Sequence, residues 1–412
     1  MRTHILQNTN NLVRGGGVII NRLYPIVTCL PIKCCKVLKG IKKKETELRW
    51  NDEISFQTEK VNRIKLELKK GGSLKKIPTA YERLIIDSIN RKTRELNKNN
   101  ITRTNAYFQF YLSHPEVHWA FLASMVSRNA GYNMTDLKGS LIPSYLGGSK
   151  VDDFFSFLER SNALIFQDAY PQLLLYEKSK EVNQDLTYLL PHFYVTQFMQ
   201  PFWSDFIRTK DSQFLTLALI INEQNYIQKR VMEKKRYKER VLDTITFKTQ
   251  ELFHFSKVIF PFFQDEEIRL TGVTVTDFHN LKERIQIGKT LYSILFRVNP
   301  VFNGALAFAS KCSHTGSRAD YWPFSFTTNR ILPRDGKEVC SKDTPPLIRS
   351  PKLEEVWPNI AHSFHDQSDW YRDTSMLEAF SSFRPPKDYL IEEEYCTALE
   401  TLYNLSKMKS EK

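Results

Sequence analysis

The sequence predicts a mainly α-helical fold, because apolar residues recur at helical spacing along most of the chain and sustained period-two alternation is scarce. The apolar fraction is 41% and the aromatic fraction 13%, a composition that folds around a core. We therefore expect a multi-helix globular body with little or no sheet. Six prolines between positions 323 and 358 predict that the C-terminal third, residues 310–375, is rich in loops.

Charge divides the chain into segments. The first 76 residues carry 17 basic and 6 acidic residues, whereas the other 336 carry 42 basic and 40 acidic ones. We predict a basic flexible or membrane-surface arm (residues 1–44), a charged linker or helix (residues 45–76) and a helical globular body (residues 77–412). Gly-Gly-Ser at 71–73 marks the start of the body.

The basic arm contains nine basic residues and no acidic one. Mixtures of lysine and aliphatic residues bind anionic membrane surfaces, and a solvated tail is the alternative because Pro25 and Pro31 interrupt any helical stripe. The apolar stretch from Leu23 to Ile32 is shorter than the roughly 20 residues that span a bilayer, and no cleavage pattern of a signal peptide follows it. We expect a cytoplasmic protein, peripheral on the inner membrane face if the arm binds lipid.

The cysteines and the charge of the body limit the compartment and the partners. No two of the six cysteines have C-x-x-C spacing, which predicts reduced thiols in an intracellular protein. We do not expect a nucleic-acid partner, because the body is nearly neutral. The phosphate-binding glycine motifs and the cysteine pattern of zinc sites are missing from the sequence, so the cofactor and any protein or small-molecule partner stay unknown.

Apolar stripes and capping residues predict the individual helices, which start near residues 81, 115, 152, 214, 277 and 391. The second helix is predicted to begin at Pro115, and its apolar stripe from Trp119 to Val126 is expected to face the core. Pro171 is expected to interrupt the third helix, and Asp211 to cap the fourth. Gly288 permits close approach of another helix.

The segment at residues 127–138 concentrates amide, guanidinium and carboxylate groups at the end of a predicted helix. Gly131 permits a positive φ there, so we expect a polar turn. Capping and a structural ion pair are the preferred interpretation. Contact with a ligand is the alternative, and its candidate residues are Arg128, Asn129, Asn133 and Asp136.

Polar residues at 222–225 interrupt the most apolar helix. Buried amides and carboxylates are costly unless they are hydrogen-bonded. We therefore expect Asn222 and Glu223 to join a buried hydrogen-bond network. The alternative is that Glu223 lies in a pocket with a raised pKa and acts as a general acid or base.

The segment at residues 314–320 combines His314, Arg318 and Asp320 with a glycine. Triad residues converge through the fold rather than along the chain, so this local combination is not a catalytic triad. Loop amides beside a guanidinium can bind an anion, which makes ligand contact the alternative to a loop held by its own contacts.

Two histidine pairs have spacings that are compatible with metal binding. His114 and His118 lie four residues apart, and His362 and His365 lie three apart near two aspartates. His114 precedes a proline and is expected to be the N-cap of the following helix instead of a helical ligand. Packed or exposed histidines are therefore the preferred interpretation of all four, and metal ligation is the alternative.

Four runs of the chain carry a family resemblance: HPEVHWAFLASMVSRNAGYNMTDLKG (114–139), FQDAYPQLLLYE (166–177), ALIINEQNYI (218–227) and HTGSRADYWP (314–323). They resemble the YppC-like proteins of Bacillus-type bacteria, over roughly residues 77–405. That family is a domain of unknown function, so the resemblance implies a bacterial protein on the cytoplasmic side and supplies no catalytic residues. The basic arm lies outside the resemblance.

Two hypotheses for function follow. The first is an intracellular helical binding or scaffold module, docked to the cytoplasmic membrane face by its arm. The second is an enzyme of unknown reaction whose polar pocket is built from residues 127–138, 222–225 and 314–320. The two differ in whether these three segments converge on one pocket.

Overall fold

A computed structural model of the protein describes residues 53–71, 76–146, 148–243, 257–275, 277–331 and 339–410. Most of these residues are helical, which confirms the predicted mainly α fold. The basic arm lies outside the described residues, and its role stays a prediction.

Within the described residues, ten longer helices form the body. In chain order they are α1 (Thr58–Lys69), α2 (Ala80–Leu96), α3 (Asn100–Ser113), α4 (His118–Asp136), α5 (Gly148–Glu181), α6 (Met199–Thr209), α7 (Ser212–Ile227), α8 (Leu281–Arg297), α9 (Asn299–Lys311) and α10 (Glu392–Ser410). Short helical turns at Ile142–Ser144, Thr187–Phe193, Gln228–Met232, Lys235–Tyr237, Lys238–Leu242, Arg318–Asp320, Leu353–Val356 and Thr374–Ala379 connect them. No described helix has both the length and the apolar character needed to cross a bilayer.

In the part of the chain that the structure describes, two small sheets accompany the helices. Strands β1 (Lys257–Gln264) and β2 (Glu267–Thr274) form an antiparallel hairpin, and β3 (Phe326–Thr327) pairs in parallel with β4 (Ile348–Arg349). Most of β1 is buried because it packs against α4 and α9. A strand that is apolar on both faces shows no period-two alternation, which explains why the sequence did not reveal this hairpin.

Helix α7 lies at the centre of the body and contacts α4, α5, α6 and α8. Every residue from 214 to 222 is buried, as an apolar run of this length predicts. Asp211 caps the helix, because its carboxylate accepts the Phe214 N–H at 3.0 Å. Gly288 of α8 faces Ile220, and a Cβ there would lie 2.6 Å from the Cγ2 of Ile220. The predicted cap and the predicted close approach are both confirmed.

Two predicted helix starts are wrong. His114 is the C-cap of α3, since its N–H donates to the Phe110 carbonyl at 2.9 Å, and α4 begins only at His118. Helix α8 begins at Leu281, because the Asn280 side chain accepts the first free N–H groups of the helix. Each correction moves the start by a few residues and leaves the buried stripe where the sequence predicts it.

Pro171 does not interrupt α5, contrary to prediction. The helix runs through Pro171 without a break and is 34 residues long in total. A proline removes one intrahelical hydrogen bond, which packing on both sides can outweigh. Phe166 and Tyr170 stack with ring centroids 4.5 Å apart just before the proline, and Leu173 is fully buried just after it.

Helix α1 packs on the body. Ile54 pairs with Phe383 through two backbone hydrogen bonds, and the Lys60 ammonium lies 2.6 Å from the Asp211 carboxylate. The sequence predicts either a charged linker or a helix for residues 45–76. Within this range, Thr58–Lys69 is helical. Residues 53–69 therefore contribute contacts to the compact unit that holds the rest of the described chain.

Cys340 and Cys396 form a disulfide with Cα atoms 6.1 Å apart, joining a loop to helix α10. The prediction that the cysteines are reduced is wrong for this pair. The two residues are separated by 56 positions, so their spacing carries no signal of their pairing. Cys312 remains a free thiol.

Candidate functional site

A cavity of about 210 Å³ lies among α3, α4, α5, α7, α8 and β1. Its wall is mainly apolar and aromatic, with Tyr107, Trp119, Phe157, Phe278 and Leu291 among its residues. An apolar cavity of about 150 Å³ accommodates benzene, so this one has room for a ring with a short substituent.

Helix α4 contributes a continuous face to this cavity. Trp119, Ala123, Val126, Ala130 and Asn133 recur at spacings of three and four, which places them on one side of a helix. Val126, which the sequence predicts to face inward, lines the cavity and is 37% exposed. The predicted polar turn at 127–138 is wrong, because α4 runs through it to Asp136.

Glu223 of α7 carries the carboxyl group of the cavity wall. Gln224 donates its amide N–H to Glu223 Oε1 at 3.3 Å, and Arg284 Nε donates to Gln224 Oε1 at 2.9 Å. Burial raises the pKa of Glu223, hydrogen bonds from Gln224 and Trp119 lower it, and the charge of Asp168 raises it; the resulting pKa is about 8. Glu223 is therefore largely protonated at neutral pH.

Asn222 belongs to a different environment from its neighbour Glu223. Its amide donates to Asp168 Oδ2 at 2.5 Å, and Trp370 Nε1 donates to its oxygen at 2.8 Å. Gln172 donates to the same aspartate oxygen at 3.0 Å and accepts from Trp203. Burial raises the pKa of Asp168 to about 7. This is a buried hydrogen-bond network of the kind expected for residues 222–225.

Asp168 is a residue that sequence reasoning missed. It lies in the apolar run FQDAYPQLLLYE, where a lone carboxylate between aromatic and aliphatic residues of a buried helix was a usable signal.

Asn129 and Asn133 border the cavity, but each has a structural partner. Asn129 accepts the Ile259 N–H at 3.0 Å and donates to the Lys257 carbonyl, which fixes β1 against α4. The oxygen of Asn133 accepts from Arg318 Nη2 at 2.9 Å. Asn133 therefore connects the cavity wall to the 314–320 segment by a side-chain hydrogen bond.

Arg318 and Asp136 form a buried ion pair. Arg318 Nε lies 3.0 and 2.8 Å from the two carboxylate oxygens, and Nη1 donates to the Tyr321 hydroxyl at 2.7 Å. Burial alone would lower the pKa of the Arg318 guanidinium, but the charge of Asp136 outweighs it and raises that pKa. Neither residue lines the cavity. Asp136 therefore belongs to a structural ion pair, but its partner is Arg318 and not Arg128 of its own segment, which the sequence suggested.

The other candidates of this region are also held by local contacts. His314 Nε2 lies 2.8 Å from Asn100 Oδ1, and burial lowers the pKa of His314 to about 4, so the ring is neutral at pH 7. Asp320 accepts the Thr315 N–H at 2.9 Å, and Arg128 donates to the Cys312 carbonyl at 3.0 Å. Arg128, His314 and Asp320 do not line the cavity.

Gly131 has a different role from the one predicted. It lies inside α4 and has no positive φ. A Cβ at this position would lie 2.3 Å from Asn100 Oδ1 and 2.7 Å from His314 Nε2. The glycine is therefore required by the close approach of a hydrogen-bonded side-chain pair, and the expected helix-terminating turn is wrong.

The four histidines do not come together. His114 lies 3.3 Å from Glu177, whereas His118 stacks on Phe296 with ring centroids 4.2 Å apart. His362 lies 3.2 Å from the buried Glu159, and His365 is exposed. Burial lowers the pKa of His118 to about 4. In the described ranges, no group of three or more His, Cys, Asp or Glu side chains is arranged to hold a metal ion.

Comparison with known proteins shows that residues 95–396 match the family described as "Protein of unknown function (DUF2515)". The "Uncharacterized protein YppC" of Bacillus subtilis (strain 168) is 39% identical over 324 residues, which cover 78% of this chain and 94% of that protein. No solved structure matches this chain. The family match includes every helix that lines the cavity.

Proposed function

The chain belongs to the DUF2515 family of proteins of unknown function, and from that premise we propose that its body is a binding module for one small, largely apolar molecule. The observation that supports this proposal is the cavity of about 210 Å³ with an apolar and aromatic wall and the carboxyl group of Glu223. Ligand sites typically combine such a wall with a few polar groups.

The distribution of the other polar residues also supports a binding site limited to the cavity. Glu223, Asn129 and Asn133 border it, whereas Arg128, Asp136, Asn222, His314, Arg318 and Asp320 do not. Ser127, Ser161, Asn162, Gln224 and Arg284 also line the cavity, and Glu223 is the acidic residue of its wall.

Toluene is expected to raise the melting temperature of the full-length protein, because a ligand that binds only the folded state stabilises it. Ala130→Leu, which fills the cavity from α4, should abolish the rise, whereas Ala80→Leu on the exposed start of α2 should preserve it. Thermal unfolding followed by circular dichroism measures both. If Ala130→Leu does not fold, Val126→Phe fills the same wall. No rise in the native protein, or an equal rise in the filled variant, contradicts the proposal.

An enzyme is the second candidate, and one observation favours it. A pKa of about 8 for Glu223 suits a general acid or base at neutral pH. The proposal requires that a molecule bound in the cavity be chemically changed, and that Glu223→Gln prevent the change without preventing toluene binding. Arg318 and Asp136 do not line the cavity, whereas Glu223 does. Glu223 is therefore the proposed acid or base.

We further propose that residues 1–44 dock this body to an anionic membrane surface at the cytoplasmic face. The support is compositional: nine basic residues, no acidic residue and several aliphatic ones. The full-length protein should co-sediment with phosphatidylglycerol vesicles and much less with phosphatidylcholine vesicles, and added salt should weaken the binding. Deletion of residues 1–44 should abolish it. Equal sedimentation of both proteins contradicts this proposal.

A further inference from the structure

We infer that the cavity selects an organic cation, a small molecule with an apolar body and one ammonium group that pairs with Glu223. This inference rests on the proposed binding function and names the chemical class of the ligand.

Glu223 differs in its partners from Glu159, Asp136 and Asp205, and it resembles Asp168, whose donors are the neutral Asn222 and Gln172. Glu159 lies 2.5 Å from Arg103, Asp136 lies 2.7 Å from Arg318, and Asp205 lies 2.8 Å from Lys60. Within the part of the chain that the structure describes, no Lys, Arg or His pairs with Glu223; its hydrogen-bond donors are the neutral Gln224 and Trp119. Buried charges in proteins are normally paired, so a cationic ligand would supply the counter-ion.

The neutral donors around Glu223 are oriented to favour its charged form. Arg284 Nε donates to the Gln224 oxygen, which leaves the Gln224 amide N–H pointing at Glu223. Hydrogen bonds donated to a carboxylate stabilise its negative charge but do not neutralise it. These hydrogen bonds lower the pKa of Glu223 less than burial raises it, so the charged carboxylate needs a cation beside it.

Arg284 is not available as that counter-ion. Its Nη1 donates to the carbonyls of Phe278 and His279 at 2.9 and 3.1 Å, and its Nη2 donates to Gln228. These contacts hold the guanidinium against the turn before α8. Turning toward Glu223 would break them in a buried environment.

The wall of the cavity also suits a cation. The rings of Trp119, Tyr107, Phe157 and Phe278 line it. The faces of aromatic rings attract ammonium groups, and the attraction is strongest where water is excluded. A carboxylate beside several rings is thus a recognisable arrangement for an amine.

Pairing of Glu223 with an ammonium group has a proton cost. Glu223 must ionise before it can pair with an ammonium, and its surrounding titratable groups are Asp168, Tyr107 and Arg284. Binding of an ammonium should therefore tighten as the pH rises toward the pKa of Glu223, about 8. Binding of a neutral ligand should not follow this dependence.

Three probes of similar size and different charge test the inference by calorimetry on the full-length protein: benzylamine, toluene and benzoate. Benzylamine should bind at least about tenfold more tightly than toluene, and benzoate most weakly. Glu223→Gln should remove the preference for benzylamine and its pH dependence, but keep toluene binding. Glu95→Gln, an exposed change on α2, should keep both.

The outcomes separate the two proposals. Toluene binding with no preference for benzylamine overturns the choice of a cation and leaves the binding function standing. A preference that survives in Glu223→Gln also overturns it, because the recognition would then lie elsewhere. If neither toluene nor benzylamine binds, the binding function itself fails, and the inference fails with it.

Discussion

Replacing Arg318 with methionine is expected to lower the free energy of unfolding by about 3–5 kcal/mol, the range for removing one partner of a buried ion pair. Arg318 is only 4% exposed, and its Nε contacts both oxygens of Asp136. Methionine would fill most of the space but would leave the carboxylate of Asp136 without its cation. It would also leave the Tyr321 hydroxyl and the Asn133 oxygen without the donors they have now. Urea denaturation of the two proteins measures the difference.

Arg208→Met is the matched control, because it breaks an ion pair at the surface. Arg208 lies 2.8 Å from Asp205, but its side chain is 62% exposed and Asp205 keeps Lys60 as a partner. The expected loss is at most about 1 kcal/mol. Adding Asp136→Asn to Arg318→Met should recover part of the lost stability, since the unpaired charge is then removed. If Arg318→Met leaves stability unchanged but abolishes toluene binding, Arg318 is a ligand residue and the structural assignment is wrong.

The sequence predicts the helical architecture well where a signal is local. The apolar run of α7, its Asp211 cap and the close approach at Gly288 follow from residues within a few turns of one another. Such signals act through the periodicity of one helix and through a cap at its end. The hairpin of β1 and β2 was missed because its strands depend on contacts with distant helices.

The candidate site is less predictable, because adjacent residues of one helix point in different directions. Successive residues are turned by about 100° around a helix axis. Asn222 thus meets Asp168 and Trp370, whereas Glu223 meets the cavity. The sequence marks both as polar residues in an apolar run and does not say which of them borders open space.

Long-range pairing sets the second limit. Arg318 lies 182 residues from Asp136, and Cys340 lies 56 residues from Cys396. A single sequence contains the residue types of such pairs, but the pairing itself is a property of the fold. The choice between a structural ion pair and a ligand site at residues 127–138 therefore needed the contacts themselves.

Gly131→Ala is expected to lower the free energy of unfolding by about 2–4 kcal/mol, although alanine is the better helix former by about 1 kcal/mol. The new methyl group would lie 2.3 Å from Asn100 Oδ1 and 2.7 Å from His314 Nε2, so it would separate a buried pair that is 2.8 Å apart. Gly148→Ala is the control, since a Cβ at the start of α5 has no neighbour within 4 Å and should leave stability nearly unchanged. Equal stability of the two variants would contradict the assignment.

A second variant identifies why glycine is needed at this position. If the reason is close approach, Asn100→Ala removes the nearest atom, and the loss from Gly131→Ala should be smaller in that background than in the native protein. If the reason were a backbone conformation that only glycine adopts, the two losses would add. The absence of a positive φ at Gly131 favours the first outcome. A double-mutant cycle by urea denaturation therefore tests whether α4 continues through the segment where the sequence predicts a turn.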